Sequence, residues 1–298
     1  MAVLHGLSLH QQAGCHSLRI PLLAIEQTYT LAAQAIANAD TLLITAGAGL
    51  GVDSGLPDFR GNDGFWRLHP RYAQQGLTFA DLANPYWFSH HPEWAWGFYG
   101  HRYHLYQNTM PHAGFAVLKK WLDNARCGGF VYTSNVDGQF QKAGFDDEII
   151  YECHGSIHHL QCTCNCNNTI WSAEGLRVDV DDQFIAQGPL PLCPDCGRVA
   201  RPNILMFNDD QWLEDRSAIQ WLAFDNWQLE VAEQHLNLVV IEIGAGFTIG
   251  RVRYTSESMD GTLIRINPQH PQGPAGTLSI ALPALEALQG IDAALEWL

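Results

Sequence analysis

Residues 41–61 read TLLITAGAGLGVDSGLPDFRG, and this stretch decides the fold class. Leu42 to Ile44 form a short apolar run that is typical of a buried strand, and four glycines follow within the next eleven residues. Glycine lets a backbone turn sharply and approach a ligand with no Cβ in the way. A strand followed by such a turn is typical of dinucleotide-binding α/β folds, in which backbone N–H groups bind phosphates. Glycine-rich turns also serve as plain connections in many α/β proteins.

The end of the same stretch is unusual for a plain connection. Asp58, Phe59 and Arg60 place an acid, an aromatic ring and a guanidinium on one loop. A simple turn has no use for this combination, so we expect the loop to bind a ligand.

The composition predicts a globular cytoplasmic protein. With 298 residues and 47% hydrophobic content, the chain is long enough for one large domain or for a large and a small one. No apolar run is long enough to span a bilayer, and the N-terminus lacks the pattern of a secretory signal. The net charge of −15 disfavours nucleic acid and anionic membranes as partners. It favours cationic partners such as lysine-rich segments, although it could serve solubility alone.

The order of predicted elements indicates a mostly parallel, doubly wound sheet. Helical spacing and apolar runs alternate along the chain, with helices predicted at 24–39, 211–235 and 285–298 and strands at 41–45, 130–133, 149–151, 238–243 and 262–266. Residues 66–106 are rich in aromatic residues and prolines, which favours short helices beside the main sheet. Residues 157–203 contain clustered cysteines and turn residues, which indicates a small inserted module.

Five of the eight cysteines predict a metal site. Cys193 and Cys196 flank a Pro-Asp turn, and three more cysteines lie about thirty residues earlier. Paired cysteines at this spacing are typical of structural zinc sites with four thiolates. We expect the ligands to be Cys162, Cys166, Cys193 and Cys196, with Cys164 able to replace either of the first two. A redox pair or a metal-free cluster is the alternative.

Polar residues follow two of the predicted strands. Asn135 and Asp137 come after the strand at 130–133, and His154 comes after the strand at 149–151. Active-site groups collect at the carboxyl ends of parallel strands, and histidine can act there as a general base. Asn135 and Asp137 could bind an amide or a ribose hydroxyl, or they could simply stabilise a turn.

Taken together, the motifs of this chain resemble those of the sirtuin family, in particular the divergent bacterial branch near the macrodomain-linked sirtuins. The resemblance covers residues 30–290, and its motifs occur in order. They are Gly47-Ala48-Gly49, Ser54-Gly55-Leu56-Pro57-Asp58-Phe59-Arg60, Asn135-Val136-Asp137, His154-Gly155-Ser156, the paired cysteines, Arg201-Pro202-Asn203-Ile204-Leu205-Met206-Phe207, Gly244 and Ile266-Asn267.

The resemblance implies a single catalytic domain with NAD in the cleft between two lobes. The implied larger lobe is Rossmann-like and consists of residues 24–60, 107–156 and 204–298. The implied smaller lobe consists of a helical part, 61–106, and the zinc-binding module, 157–203. The cofactor-binding residues implied by the resemblance are Gly47, Ala48, Gly49, Asp58, Phe59, Arg60, Ser134, Asn135, Asp137, Gly244, Ala245, Gly246 and Asn267.

The activity implied by the resemblance is NAD-dependent deacylation of an acyl-lysine protein. His154 is the implied base that activates a ribose hydroxyl after the acyl oxygen attacks the nicotinamide-bearing carbon, and Asn135 and Asp137 line the nicotinamide pocket. The implied products are nicotinamide, deacylated lysine and O-acyl-ADP-ribose. Leu205 and Phe207 lie in the implied substrate strand.

Several departures from the family pattern widen the range of activities. Gly51, Ser134 and the Gly244-Ala245-Gly246 segment each lack a polar group that the family usually has, and Asn208-Asp209 replaces Gly-Glu. The branch that these departures resemble includes mono-ADP-ribosyltransferases. Protein ADP-ribosylation or NAD hydrolysis is therefore the main alternative, and a catalytically silent sensor of NAD or ADP-ribose is a further one.

Tyr99 and Arg102 repeat the Tyr-x-x-Arg spacing by which desuccinylase-type sirtuins bind an acidic acyl group. Residues three apart share a helix face, so a phenol and a guanidinium could bind one carboxylate. This spacing predicts modest desuccinylation or demalonylation. The alternative is an amphipathic helix with an arginine at its border.

Overall fold

The computed structural model describes residues 16–58, 76–247 and 250–298, with side chains from residue 24 onward. Phe59 and Arg60 lie outside these residues, as do the first residues of the predicted helical part. The strands are β1 (Thr41–Ala46), β2 (Gly129–Thr133), β3 (Ile150–Glu152), β4 (Gly155–Cys162), β5 (Ile170–Ser172), β6 (Asp179–Val180), β7 (Ala186–Gln187), β8 (Ala200–Ile204), β9 (Leu238–Ile243), β10 (Thr262–Ile266) and β11 (Leu278–Ile280).

Helices connect and cover these strands. The α-helices are α1 (His16–Ala37), α2 (Phe79–Leu82), α3 (Tyr86–His90), α4 (Pro92–Asn108), α5 (Ala113–Asn124), α6 (Gln139–Lys142), α7 (Asp215–Glu233), α8 (Arg251–Ser258) and α9 (Ala284–Leu295). Short 3-10 helices occupy Ala48–Ser54 and Asp147–Ile149.

The main sheet contains six parallel strands in the order β11-β10-β9-β1-β2-β3. Leu42 of β1 pairs with Gly129 of β2 on one side and with Val239 of β9 on the other. Every residue of β1 and β9 is buried, as expected for parallel strands with helices on both faces. The predicted doubly wound parallel sheet is confirmed.

Alternate side chains of β1 pack on opposite faces of the sheet. Leu42 and Ile44 join a core that α1, α5 and α9 cover, whereas Leu43 packs on the other face with Phe224 of α7 and Val252 of α8. The apolar run that opened the sequence thus contributes to two cores at once.

The order of the strands reverses beside β1. The chain runs from β1 to β2 and β3 on one side, and β9, β10 and β11 lie on the other side. In open α/β sheets, ligands bind in the crevice at the carboxyl ends of the strands where the order reverses. The loops after β1, β2, β9 and β10 meet at this edge.

A second core joins the aromatic helices to the cysteine-containing segment. An antiparallel sheet, β5-β4-β8, and the short β6-β7 pair lie beside α2, α3 and α4. Trp96 of α4 is fully buried, and its Nε1 donates a hydrogen bond to the carbonyl of Ala200 at the start of β8, 2.8 Å away. The aromatic helices and the inserted module therefore share one core, while the exact lobe boundaries remain a prediction.

The predicted helices exist, but their ends differ from the predicted ones. The first begins at His16 and ends at Ala37, and the last ends at Leu295 instead of Leu298. The side chains of Trp297 and Leu298 are 89% and 63% exposed, so little packing extends the last helix to the end of the chain. Within the described part of the chain, no helix is long and apolar enough to cross a membrane.

Candidate active site

The glycine turn after β1 packs directly against the turn after β9. The amide of Gly49 donates to the carbonyl of Gly244 at 3.0 Å. A Cβ on Gly47 would lie 2.6 Å from the Gly244 oxygen, and one on Gly49 would lie 2.7 Å from the Gly244 Cα. The sequence suggests ligand approach as the reason for these glycines, and the structure adds close contact between two backbone turns.

Replacing Gly49 with alanine is expected to lower the free energy of unfolding by about 1–3 kcal/mol, because the new Cβ would collide with backbone that cannot rotate away. The matched control is Gly246→Ala in the opposing turn, where no heavy atom lies within 4 Å of the added Cβ. Denaturant unfolding of both variants measures the difference. Equal losses of stability in the two variants would contradict the role given to the contact.

Asn135 and Asp137 follow β2 and lie at the same crevice. The Asn135 Nδ2 donates to the Gly47 carbonyl at 3.0 Å, which ties the β2 loop to the glycine turn. The Asp137 Oδ1 accepts a hydrogen bond from the Gln139 amide at 3.0 Å, as an Asx turn requires. The turn-stabilising interpretation of Asp137 therefore holds, and both side chains also line a cavity.

The environment of Asp137 disfavours its charged form. Burial raises the pKa of this carboxyl to about 6, although the hydrogen bond from the Gln139 amide acts in the opposite direction. The group is therefore mostly ionised near pH 7 and takes up a proton as the pH falls below about 6.

His154 follows β3 and faces the same cavity. Its Nδ1 lies 3.2 Å from the carbonyl oxygen of Ser134. In the tautomer whose Nδ1–H donates to this carbonyl, the neutral ring carries its lone pair on Nε2. The backbone after β2 thus orients the ring for a role as a proton acceptor.

The two neighbouring histidines have different surroundings. The His158 Nε2 contacts the backbone carbonyl of Asp137 at 3.0 Å, and burial lowers the pKa of His159 to about 4. Neither lines the cavity that contains His154. Of these three histidines, His154 is the one that lines this cavity, and it is also the one that the sequence analysis favours.

The first cavity has a volume of about 290 Å³, and all seven predicted catalytic and substrate-binding residues line it. His154, Asn135 and Asp137 line one part of it, and Tyr99 and Arg102 of α4 line another. Its remaining walls are mostly apolar and include Ala48, Ser134, Leu205, Phe207 and Tyr106. Tyr106 was missed by the sequence analysis, although it continues the helix face that carries Tyr99 and Arg102.

The second cavity, of about 360 Å³, lies on the other side of the glycine turn. Six of the predicted cofactor residues line it: Ala48, Gly49, Asp58, Gly244, Gly246 and Asn267. Ala245 lies behind its wall, where its carbonyl accepts a hydrogen bond from the Asn267 Nδ2 at 2.9 Å. Among the residues that the structure describes, Ala48 alone lines both cavities.

Five cysteine sulphurs gather at the ends of β4 and β8. The Cys162 Sγ lies 3.4 Å from that of Cys164 and 3.5 Å from that of Cys196, and the Cys166 Sγ lies 3.6 Å from that of Cys193. Tetrahedral zinc with bonds of about 2.3 Å separates its sulphurs by roughly 3.8 Å, so these spacings fit. The sequence favours Cys193 over Cys164, whereas the four sulphurs mutually within 4.8 Å are those of Cys162, Cys164, Cys166 and Cys196.

A parallel sheet with two adjoining cavities at its point of reversal is the arrangement in which open α/β proteins bind their ligands, and here it is accompanied by a cysteine-rich module. The family model described as "Sir2 family" matches residues 47–225. The chain belongs to the Sir2 family, and the resemblance noted in the sequence is confirmed.

Individual relatives agree with this assignment. The chain is 33% identical over 177 residues to an Archaeoglobus fulgidus protein named "NAD-dependent protein deacylase 1", covering 58% of this chain and 62% of that one. It is 30% identical over 246 residues to a Fusarium oxysporum f. sp. cubense protein named "Probable bifunctional ADP-ribose hydrolase/ADP-ribosyltransferase", covering 77% of this chain. The match spans only 40% of the Fusarium protein.

A solved structure of a mutant Sir2 homologue in complex with ADP-ribose has the same fold. The TM-score is 0.66 at 26% identity, and the match covers 89% of this chain and 95% of the other. The fold therefore extends well beyond the segment that the family model matches.

Proposed function

We propose that this protein is a NAD-dependent lysine deacylase that consumes NAD and releases nicotinamide and O-acyl-ADP-ribose. The observation that carries the proposal is the pair of cavities that meet at Ala48, one with His154, Asn135 and Asp137 and the other with the glycine turns. A dinucleotide can lie across this junction with its reactive end beside the histidine. The deacylase name of the Archaeoglobus relative supports the same activity.

The second cavity suits the phosphate and adenosine portions of NAD. Ala48 and Gly49 of the turn after β1 line one side of this cavity, and Asn267 and Gly246 line the opposite side. Gly47 lies in the same turn but lines neither cavity. We assign Gly244, Ala245 and Asp58 to the same binding region. Phe59 and Arg60 keep the cofactor roles that the resemblance implies.

The first cavity suits the nicotinamide portion and the acyl-lysine. Asn135 and Asp137 offer an amide and a carboxylate for hydrogen bonds to the nicotinamide amide, with Ser134 beside them. His154 accepts the proton of a ribose hydroxyl at Nε2 once the acyl oxygen has bonded to the ribose carbon. Leu205 and Phe207 provide apolar contacts along the lysine and acyl chain.

The cysteine cluster suits a structural zinc ion. Five sulphurs offer one more ligand than a closed tetrahedral site needs. Those of Cys162, Cys164, Cys166 and Cys196 are mutually close, and that of Cys193, which the sequence favours, lies close to Cys166. Such a site leaves no position for substrate, and zinc would stabilise the fold of the module without entering the reaction.

The test is product identification after incubation of the protein with NAD and an acyl-lysine peptide. Deacylation gives nicotinamide and O-acyl-ADP-ribose in equal amounts and only when the peptide is present. The Fusarium relative, with its transferase name, supports ADP-ribosyl transfer as a second candidate, which would give modified protein. Free ADP-ribose without peptide would indicate hydrolysis, and no nicotinamide release at all would leave only a sensor.

A further inference from the structure

A buried group of charges lies behind the second cavity and is not explained by the proposed reaction. Glu242 of β9 and Arg265 of β10 are adjacent across the two strands and fully buried, and Arg253 of α8 is 5% exposed. The Arg265 Nη2 donates to Glu242 at 2.8 Å and to Glu257 at 2.6 Å. The Arg253 Nε is 3.9 Å from the same Glu242 carboxylate.

Burying these charges costs free energy, because each charge loses its hydration. Ion pairing and hydrogen bonds must offset that loss. Apolar residues of similar volume are often as stable as a buried ion pair or more so. Some N–H groups of Arg253 and Arg265 face carboxylates. Others donate hydrogen bonds to backbone carbonyls in two loops.

Three backbone carbonyls accept hydrogen bonds from these guanidinium groups. Arg253 donates to the carbonyls of Ala245, at 3.3 Å, and of His270, and Arg265 donates to that of Gln272 at 2.6 Å. Ala245 lies in the turn after β9, and the other two lie in the loop after β10. One pair of arginines therefore links two loops that are distant in sequence.

Both linked loops form walls of the second cavity. Gly244 and Gly246 line it from the first loop, and Asn267 and His270 line it from the second. Ala245 and Gly246 have no polar side-chain group with which to fix their own turn. Neither arginine lines the cavity, so any influence on a ligand passes through the loops that they hold.

Arg253 also contacts the exposed side chain of Phe247 in the first loop. The Arg253 guanidinium lies 4.1 Å from the centre of the Phe247 ring, and this ring contacts that of His270 at a centroid distance of 4.8 Å. Phe247 is 62% exposed, so the cation–π contact replaces the burial that would otherwise hold such a ring.

We propose that Arg253 and Arg265 are positioning residues for NAD, which hold the loops after β9 and β10 at the separation that the ADP-ribose portion requires. The inference rests on the proposed function, because it takes the second cavity to be the ADP-ribose site. It predicts that loosening these loops weakens binding of the nucleotide while leaving the chemistry at His154 intact.

The test compares Arg253→Met with the wild type by calorimetric titration with ADP-ribose and by steady-state kinetics. Loss of the charged hydrogen bonds is expected to weaken ADP-ribose binding and to raise the KM for NAD by about 10- to 100-fold. The kcat and the KM for the acyl peptide are expected to change less than about threefold. Arg253→Lys keeps the charge and is expected to restore part of the affinity.

The matched control is Arg201→Met, which removes an equally buried arginine that pairs with Asp209 beside the first cavity. It is expected to leave ADP-ribose affinity unchanged in protein that remains folded, as judged by thermal melting. Equal loss of affinity in both methionine variants would overturn the inference, as would unchanged affinity in folded Arg253→Met or Arg253→Lys. Failure of the wild type to bind ADP-ribose would instead overturn the proposed function, and the inference with it.

Discussion

Replacing His154 with alanine is expected to lower kcat for deacylation by about 100- to 10,000-fold, the usual contribution of a general base. The ring is oriented by the contact between its Nδ1 and the Ser134 carbonyl at 3.2 Å, and alanine removes the proton acceptor without filling the cavity. The measurement is the rate of O-acyl-ADP-ribose formation at saturating NAD and peptide.

Nicotinamide release and O-acyl-ADP-ribose formation are successive steps of the proposed reaction and can be measured separately. If His154 acts after the acyl oxygen has attacked, the variant still releases nicotinamide in a first turnover while O-acyl-ADP-ribose formation is lost. Rapid-quench measurement of both products separates the two steps. The control is His159→Phe, since His159 is partly buried, neutral because of its low pKa, and outside the cavity. Deacylation that persists at the wild-type rate in His154→Ala would end the assignment of this residue as the base.

Replacing Arg102 with methionine is expected to lower kcat/KM for a succinyl-lysine peptide by about 100-fold, because the succinyl carboxylate loses a guanidinium that can bind it through two charged hydrogen bonds. Turnover of the acetyl-lysine peptide is expected to change by less than about threefold. The ratio of the two kcat/KM values, measured on the same preparation, is the readout and cancels any loss of folded protein.

The structure supports this expectation over the alternative of a helix-border arginine. Arg102 is only 5% exposed, and its Nε and Nη2 both lie within 3.2 Å of the Tyr106 hydroxyl, inside the cavity. Burial raises the pKa of Tyr99 to about 12, so its hydroxyl stays protonated and able to donate. Within the described residues this buried hydroxyl has no hydrogen-bond partner.

A second variant tests the contribution of the Tyr99 hydroxyl separately from that of the Arg102 charge. Tyr99→Phe removes one donor and keeps the ring, and we expect about a tenfold loss with the succinyl peptide alone. A preference for acidic acyl groups would be ruled out by two results together: the wild type turns over acetyl- and succinyl-lysine peptides equally, and Arg102→Met changes neither rate.

Much of the fold could be predicted from local signals in the sequence. The apolar run at Leu42 to Ile44 and the glycines after it define β1 and its turn because parallel core strands are buried on both faces. The same reasoning located β9 and β10. Polar residues directly after strands pointed to Asn135, Asp137 and His154, and the structure brings all three to one cavity.

Features that depend on contacts between distant parts of the chain could not be predicted from the sequence. Nothing local to Gly49 shows that Gly244 will lie against it, and nothing in the pattern of α8 shows that Arg253 will hold two loops. Tyr106 enters the cavity only because α4 is buried along most of its length. The spacing of the cysteines predicted a metal cluster but not which sulphurs lie nearest each other.

Ala48 lines both cavities, and the two cavities are built from different parts of the chain. The walls of the first cavity include α4 and the segment after β8, whereas those of the second include the loops after β9 and β10. Substitutions in the walls of the first cavity can therefore leave the walls of the second unchanged. Under the proposed function, a descendant of this fold can replace lysine with another nucleophile and still bind NAD through the second cavity.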